Sequence, residues 1–239
     1  MATVSRRRLL GLGLRALGLS ACPLGAAARA ADEAFQGCFL RAASSTLLDR
    51  ITVRLSSGDK EADQVCIAAE QELRREFRVA PDAWFYDDGK YPNAFATWLR
   101  RSDGASRDGT VFLGLRLVAR VTRRDALNRH WQLRLTSIVA HEWAHIVQYS
   151  RGRRAPGKGA ELHADFLAGW FLARTGVTGG GSEAGRGDSM LRMYGLGDYE
   201  YGHPDHHGTP LERAFAIGDG FDFAKAGHDL DAAFAARPL

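Results

Sequence analysis

From Asp125 to Gln148 the chain runs 24 residues without a glycine or a proline, and this stretch restricts the fold more than any other. Leu135, Ile138, Val139, Ile146 and Val147 form an apolar stripe at helical spacing within it, and Gly152 follows as a stop. One long helix is predicted. It carries the segment His141-Glu142-Trp143-Ala144-His145. Two histidines four residues apart project from one helical face a single turn apart, so both imidazoles can bind the same ion. Glu142 lies beside that face. Zinc held this way lowers the pKa of a water molecule, and a neighbouring carboxylate accepts the proton as the water attacks a carbonyl carbon.

A catalytic zinc site needs a third protein ligand. The metzincin pattern requires Gly and His where this chain has Gln148 and Arg151, which excludes it. The thermolysin-like pattern takes a glutamate from a following helix. Glu161-Leu162-His163-Ala164-Asp165 offers Glu161, with Asp165 one turn later on the same face to hydrogen-bond a ligand histidine. His163, about 200° around the helix from Glu161, is the rival ligand.

The rest of the chain reads as α+β. Val65, Ala69, Leu73 and Phe77 mark an amphipathic helix over residues 61–78, ended before Pro81. Aromatic residues among the turn formers of residues 83–97, and the run Thr110 to Leu113, predict short strands joined in a small antiparallel sheet. A second helix is expected from Lys158 to Arg174, ended by Gly176, and Gly176 to Gly187 reads as a surface loop. The expected architecture is this sheet packed on the HEWAH helix and the glutamate-bearing helix after it, in one domain over residues 31–239.

Residues 1–30 have the layout of an export signal: Arg6, Arg7 and Arg8, then the apolar run Leu9 to Ala21, then small residues around Ala28-Arg29-Ala30. Ser5-Arg6-Arg7-Arg8-Leu9-Leu10 resembles the twin-arginine export motif. The run is about 12 apolar residues interrupted by Arg15, short of the roughly 20 that a spanning helix needs. Leu19-Ser20-Ala21-Cys22 also resembles a lipobox, which offers a lipid anchor at Cys22 as an alternative to a soluble product. Residues 1–30 hold five arginines and no acid, so a product beginning at Ala31 has 27 basic and 28 acidic residues. That balance removes the argument for nucleic acid or an acidic membrane surface as partner. Cys38 and Cys66 would remain, an even number in a compartment that permits a disulfide between them.

HEWAH followed by ELHAD resembles the HExxH and ExxAD pair of gluzincin zinc metallopeptidases. Tyr91-Pro92-Asn93-Ala94-Phe95-Ala96-Thr97 is similar to the NAFA segment of the CAAX prenyl endopeptidase and membrane heat-shock protease family. His207-Gly208-Thr209-Pro210-Leu211-Glu212-Arg213 is similar to that family's late His and Arg segment, and bacterial neutral zinc metallopeptidases resemble the chain as closely. The resemblance spans roughly residues 60–220, with the four motifs in the family's order. It implies a minimal gluzincin core and one zinc ion on His141, His145 and Glu161. It also implies a substrate-facing strand at Asn93, Ala94, Phe95 and Ala96, and transition-state contacts from His207, with His206 as the alternative, and from Arg213. Unlike the family's membrane members, this chain has no later apolar run long enough to span a bilayer.

The expectation is therefore a periplasmic or secreted zinc endopeptidase acting on peptides or proteins, with Glu142 as general base. The competing expectation is a catalytically silent zinc-binding fold that serves as a binding or assembly module. A purely structural zinc site has no use for Glu142, which weighs against it.

Overall fold

Helix α1 (Ser45–Leu48) and strand β1 (Val53–Arg54) lead into helix α2 (Lys60–Phe77). Asp59 caps α2 by accepting from the backbone N–H groups of Glu61 and Ala62. Strands β2 (Asp82–Tyr86), β3 (Ala94–Thr97) and β4 (Thr110–Gly114) follow, then helices α3 (Leu115–Val121), α4 (Trp131–Ser150), α5 (Lys158–Thr175), α6 (Pro210–Lys225) and α7 (Leu230–Ala236). This is a computed structural model, and it describes residues 45–90, 92–123, 130–176, 182, 184–187 and 208–237. The export signal with Cys22, and Cys38, Tyr91, His206 and His207, lie outside the described residues. Cys66 is a buried free thiol on α2. Burial, with Glu70 and Asp63 beside it, pushes its pKa up.

The sheet has the order β1-β2-β4-β3 and is mixed, not antiparallel as expected: β1 and β3 pair antiparallel with their neighbours, while β2 and β4 run parallel. The strand pattern in the sequence encodes which side chains alternate, not which way a partner runs. The connection over residues 98–109 carries the chain back so that β4 inserts between β2 and β3. Both faces of the sheet are covered, which is why β3 and β4 are buried throughout instead of alternating. Ala94, Ala96, Val111 and Leu113 join the main core with α4. Phe95 and Phe112 stack at 4.7 Å on the opposite face, in a smaller cluster with Tyr86 and Leu48.

Helix α4 begins at Trp131 and is buried at every position from Leu135 to Tyr149. A helix buried all round belongs to the middle of a core, not to its surface. It packs against β3 and β4, α2 and α5, and α5 packs in turn against α6. The α5–α6 contact is unusually close. A Cβ on Gly169 would lie 2.0 Å from the Ile217 carbonyl oxygen, and one on Gly220 would lie 1.8 Å from that of Phe166. Each glycine admits the other helix's backbone where any side chain would exclude it. This approach brings Arg213, on the first turns of α6, down onto α5. The segment Thr209-Pro210-Leu211-Glu212 starts α6 with a capping box, the Thr209 side chain accepting from the Glu212 N–H and the Glu212 carboxylate from the Thr209 N–H.

Candidate metal centre

The buried face of α4 turns His141 and His145 toward α5, which supplies Glu161 and Asp165. Charged and polar side chains rarely enter a core unless each is paired or holds an ion. Here His141, Glu142, His145, Gln148, Glu161, His163, Asp165 and Arg213 are all buried together, none more than 3% exposed. His141 Nε2 lies 3.1 Å from His145 Nε2 and 3.2 Å from Glu161 Oε2, and His145 Nε2 lies 3.4 Å from Glu161 Oε1. These three residues form a group that could hold a metal ion.

The far side of each imidazole explains why the Nε2 atoms converge. His141 Nδ1–H donates to Asp165 Oδ1 at 2.8 Å, and His145 Nδ1–H donates to Gln148 Oε1 at 2.9 Å. With the ring proton held on Nδ1, a neutral imidazole presents the lone pair of Nε2. Two such lone pairs and a carboxylate pointing at one spot repel one another unless a cation lies between them. Ligands placed tetrahedrally about zinc at its usual N and O distances stand about 3.3–3.5 Å apart. The observed separations are close to that, so the donor set fits a zinc ion in spacing and in chemistry.

Asp165 is held in turn by Arg213, whose Nε donates to Oδ2 at 2.7 Å and whose Nη2 donates to Oδ1 at 2.9 Å. Burial pushes the Asp165 carboxyl up, but Arg213 and His141 outweigh it and hold its pKa below the usual carboxylate value. Asp165 is therefore an anion and an acceptor for His141. Two of the Arg213 nitrogens are committed to Asp165, and Nη2 also stands 3.8 Å from Glu161 Oε2. The fork-to-carboxylate geometry of a buried guanidinium places it behind the ligands.

His163, the rival ligand, faces away from the two histidines as the helical angle requires. Its Nε2–H donates to the Phe234 carbonyl at 3.1 Å, and its Nδ1 accepts from Gln148 Nε2 at 3.0 Å. Burial, reinforced by Arg153 and offset only in part by the Phe234 carbonyl, lowers its pKa to about 4, so the ring is neutral near pH 7.

Of the segment expected to face substrate, Ala94 and Ala96 turn toward α4, whereas Phe95 points to the far face and serves the smaller core. Asn93 precedes β3, and its backbone N–H donates to Asp88. Two residues of the site escaped the sequence reading, Gln148 and Tyr149. Tyr149 stacks on His145 at 6.2 Å between ring centres, and its hydroxyl donates to the Ala96 carbonyl at 3.4 Å. Both lie three or four residues after His145, on the face that carries the ligands, and that spacing was the available signal. Comparison of the chain with protein-family models, with curated proteins and with solved structures finds no match in any of the three.

Proposed function

We propose that this chain is an exported zinc metallopeptidase of the gluzincin type that cleaves peptide bonds within extended polypeptides. The observation that carries the reading is the convergence of His141 Nε2, His145 Nε2 and the Glu161 carboxylate at ligand spacing in a buried site. Zinc bound there supplies Lewis acidity, which lowers the pKa of water and polarises a carbonyl. Glu142, adjacent to His141 on the same buried helix, takes the proton from the attacking water and returns it to the departing amine, so the hydrolysis balances. Asp165 and Gln148 hold the proton on Nδ1 of each ligand histidine.

Strand β3 is the segment proposed to lie along an extended substrate. It ends the sheet, and the Gly114 N–H donates to the Asn93 carbonyl at 3.0 Å. In the β3–β4 register this makes Phe95 and Phe112 the next bonded pair. Antiparallel alternation then turns the backbone groups of Ala94 and Ala96 away from β4, to the side where the Ala96 carbonyl accepts from the Tyr149 hydroxyl. Tyr149 links this edge to His145.

Export to the periplasm rests on residues 1–30, and no helix among the described residues is long and apolar enough to cross a membrane. His207 stays in the proposal as a donor to the reacting carbonyl oxygen.

The test is metal analysis of the purified chain together with digestion of casein or a peptide library, with and without a chelator. Glu142→Gln should keep its zinc and lose about 10²–10⁴ in kcat. A wild-type chain without zinc overturns the proposal; full cleavage by Glu142→Gln removes Glu142 from it.

A further inference from the structure

Gln148 has every polar atom engaged, and the partners decide its orientation. Its Nε2 lies 2.8 Å from the Ala160 carbonyl oxygen, a group that can only accept, so the NH₂ end of the amide faces α5. The second proton of that NH₂ goes to His163 Nδ1 at 3.0 Å. That nitrogen is an acceptor because the other ring nitrogen donates to the Phe234 carbonyl at 3.1 Å. Only the amide oxygen remains for His145, and it meets Nδ1 at 2.9 Å. An oxygen there requires the proton of His145 on Nδ1 and leaves the Nε2 lone pair facing His141 and Glu161. Were the proton on Nε2, that atom could not bind a metal.

The series begins on the C-terminal helix. Phe234, on α7, is gripped by the guanidinium groups of Arg151 and Arg153, 4.4 Å and 4.2 Å from its ring centre. Its ring also meets His163 edge to face at 5.0 Å. His163 and Gln148 are at most 1% exposed, so water does not compete for these hydrogen bonds.

We infer that Gln148 is a positioning residue for the metal centre: it selects the tautomer and ring angle of His145, and His163, anchored on the Phe234 carbonyl, holds Gln148 in that orientation. His163 thereby serves the metal without touching it, and α7 becomes part of the support of the site. The inference rests on the metal-centre reading proposed above.

The first measurement needs no variant. With imidazole ¹⁵N labels, long-range ¹H–¹⁵N correlation on the full chain stripped of metal should show His145 with its proton on Nδ1. In Gln148→Met, which is similar in length and lacks the acceptor, the proton should move to Nε2; in Gln148→Glu, which keeps an acceptor, it should stay on Nδ1. Cobalt(II) affinity, measured by competition with a chelator, should fall about 10–100-fold in Gln148→Met. It should lie nearer wild type in Gln148→Glu. Thermal unfolding of the metal-free proteins separates a loss of fold from a loss of positioning. Wild-type His145 protonated on Nε2 overturns the inference, as does equal cobalt affinity in wild type and Gln148→Met. In both cases cobalt binding by the wild-type chain keeps the proposed function standing. A wild-type chain that takes up no cobalt overturns both together.

Discussion

Arg213 and Asp165 meet as a two-point pair in the interior, Nε to Oδ2 at 2.7 Å and Nη2 to Oδ1 at 2.9 Å, with Asp165 fully buried and Arg213 nearly so. Removing one partner of a buried pair strands the other charge. Arg213→Met should therefore destabilise the fold by about 3–5 kcal/mol in denaturant titration. Arg213→Lys should recover only part of this, because an ammonium cannot reproduce the fork. An oxyanion donor behaves otherwise: its loss lowers kcat and leaves stability alone. Unchanged stability in Arg213→Met would return the residue to the transition-state role that its motif implied.

The two candidate third ligands separate by metal content. Glu161→Ala should lose stoichiometric zinc, because its carboxylate faces both histidine Nε2 atoms. His163→Ala should still hold one zinc per chain when metal is in excess, since its ring nitrogens are engaged by Gln148 and Phe234. The reverse pattern, read by atomic emission on dialysed protein, would transfer the ligand role to His163.

Gly169 tests how the site is assembled. The atoms nearest to an added Cβ are the backbone of Ile217, which cannot rotate aside as a side chain can. Gly169→Ala must push α6 off α5 and should cost about 1–3 kcal/mol of stability. The same displacement loosens Arg213 from Asp165, so zinc affinity should fall with it. A variant as stable as wild type in urea would show that the helices stand farther apart than described.

One source of acid sensitivity lies at the start of α6. The Lys158 ammonium donates to Glu212 at 2.8 Å and the Thr209 N–H donates at 2.9 Å. Together, with Lys158 the larger cause, they lower the Glu212 pKa from an ordinary 4.5 to about 2. A carboxyl whose pKa is depressed by folding contributes stability that is complete above its unfolded value and disappears as pH falls through the folded one. Between about pH 4.5 and pH 2 the wild-type Tm should thus fall more steeply than that of Glu212→Gln. Parallel Tm curves over that window would refute the assignment.

Much of the site was legible because it is local. The spacing of His141 and His145 puts both on one face of any helix, and the Gly- and Pro-free stretch with Gly152 beyond it made that helix predictable; it ends at Ser150. The helix Lys158 to Arg174 and its stop at Gly176 were equally plain, and the observed helix runs to Thr175. Helix α6 carried its own signal in the Thr209 to Glu212 capping box, which the motif reading passed over.

The sequence by itself determined the three long helices α2, α4 and α5 and the pairing of the two histidines, because 3.6-residue periodicity, caps and breakers act over a few residues. Tertiary structure alone decided that Glu161 and not His163 meets those histidines, since the choice depends on how α5 is rotated against α4. It also decided that β2 and β4 run parallel, that Arg213 holds Asp165, and that Gln148 holds His145. Each of these joins groups whose meeting depends on how separate elements approach one another, through glycine contacts, sheet order and buried hydrogen bonds. No local rule carries that information, because the free energy that selects it comes from packing and from satisfying buried polar groups across the whole core.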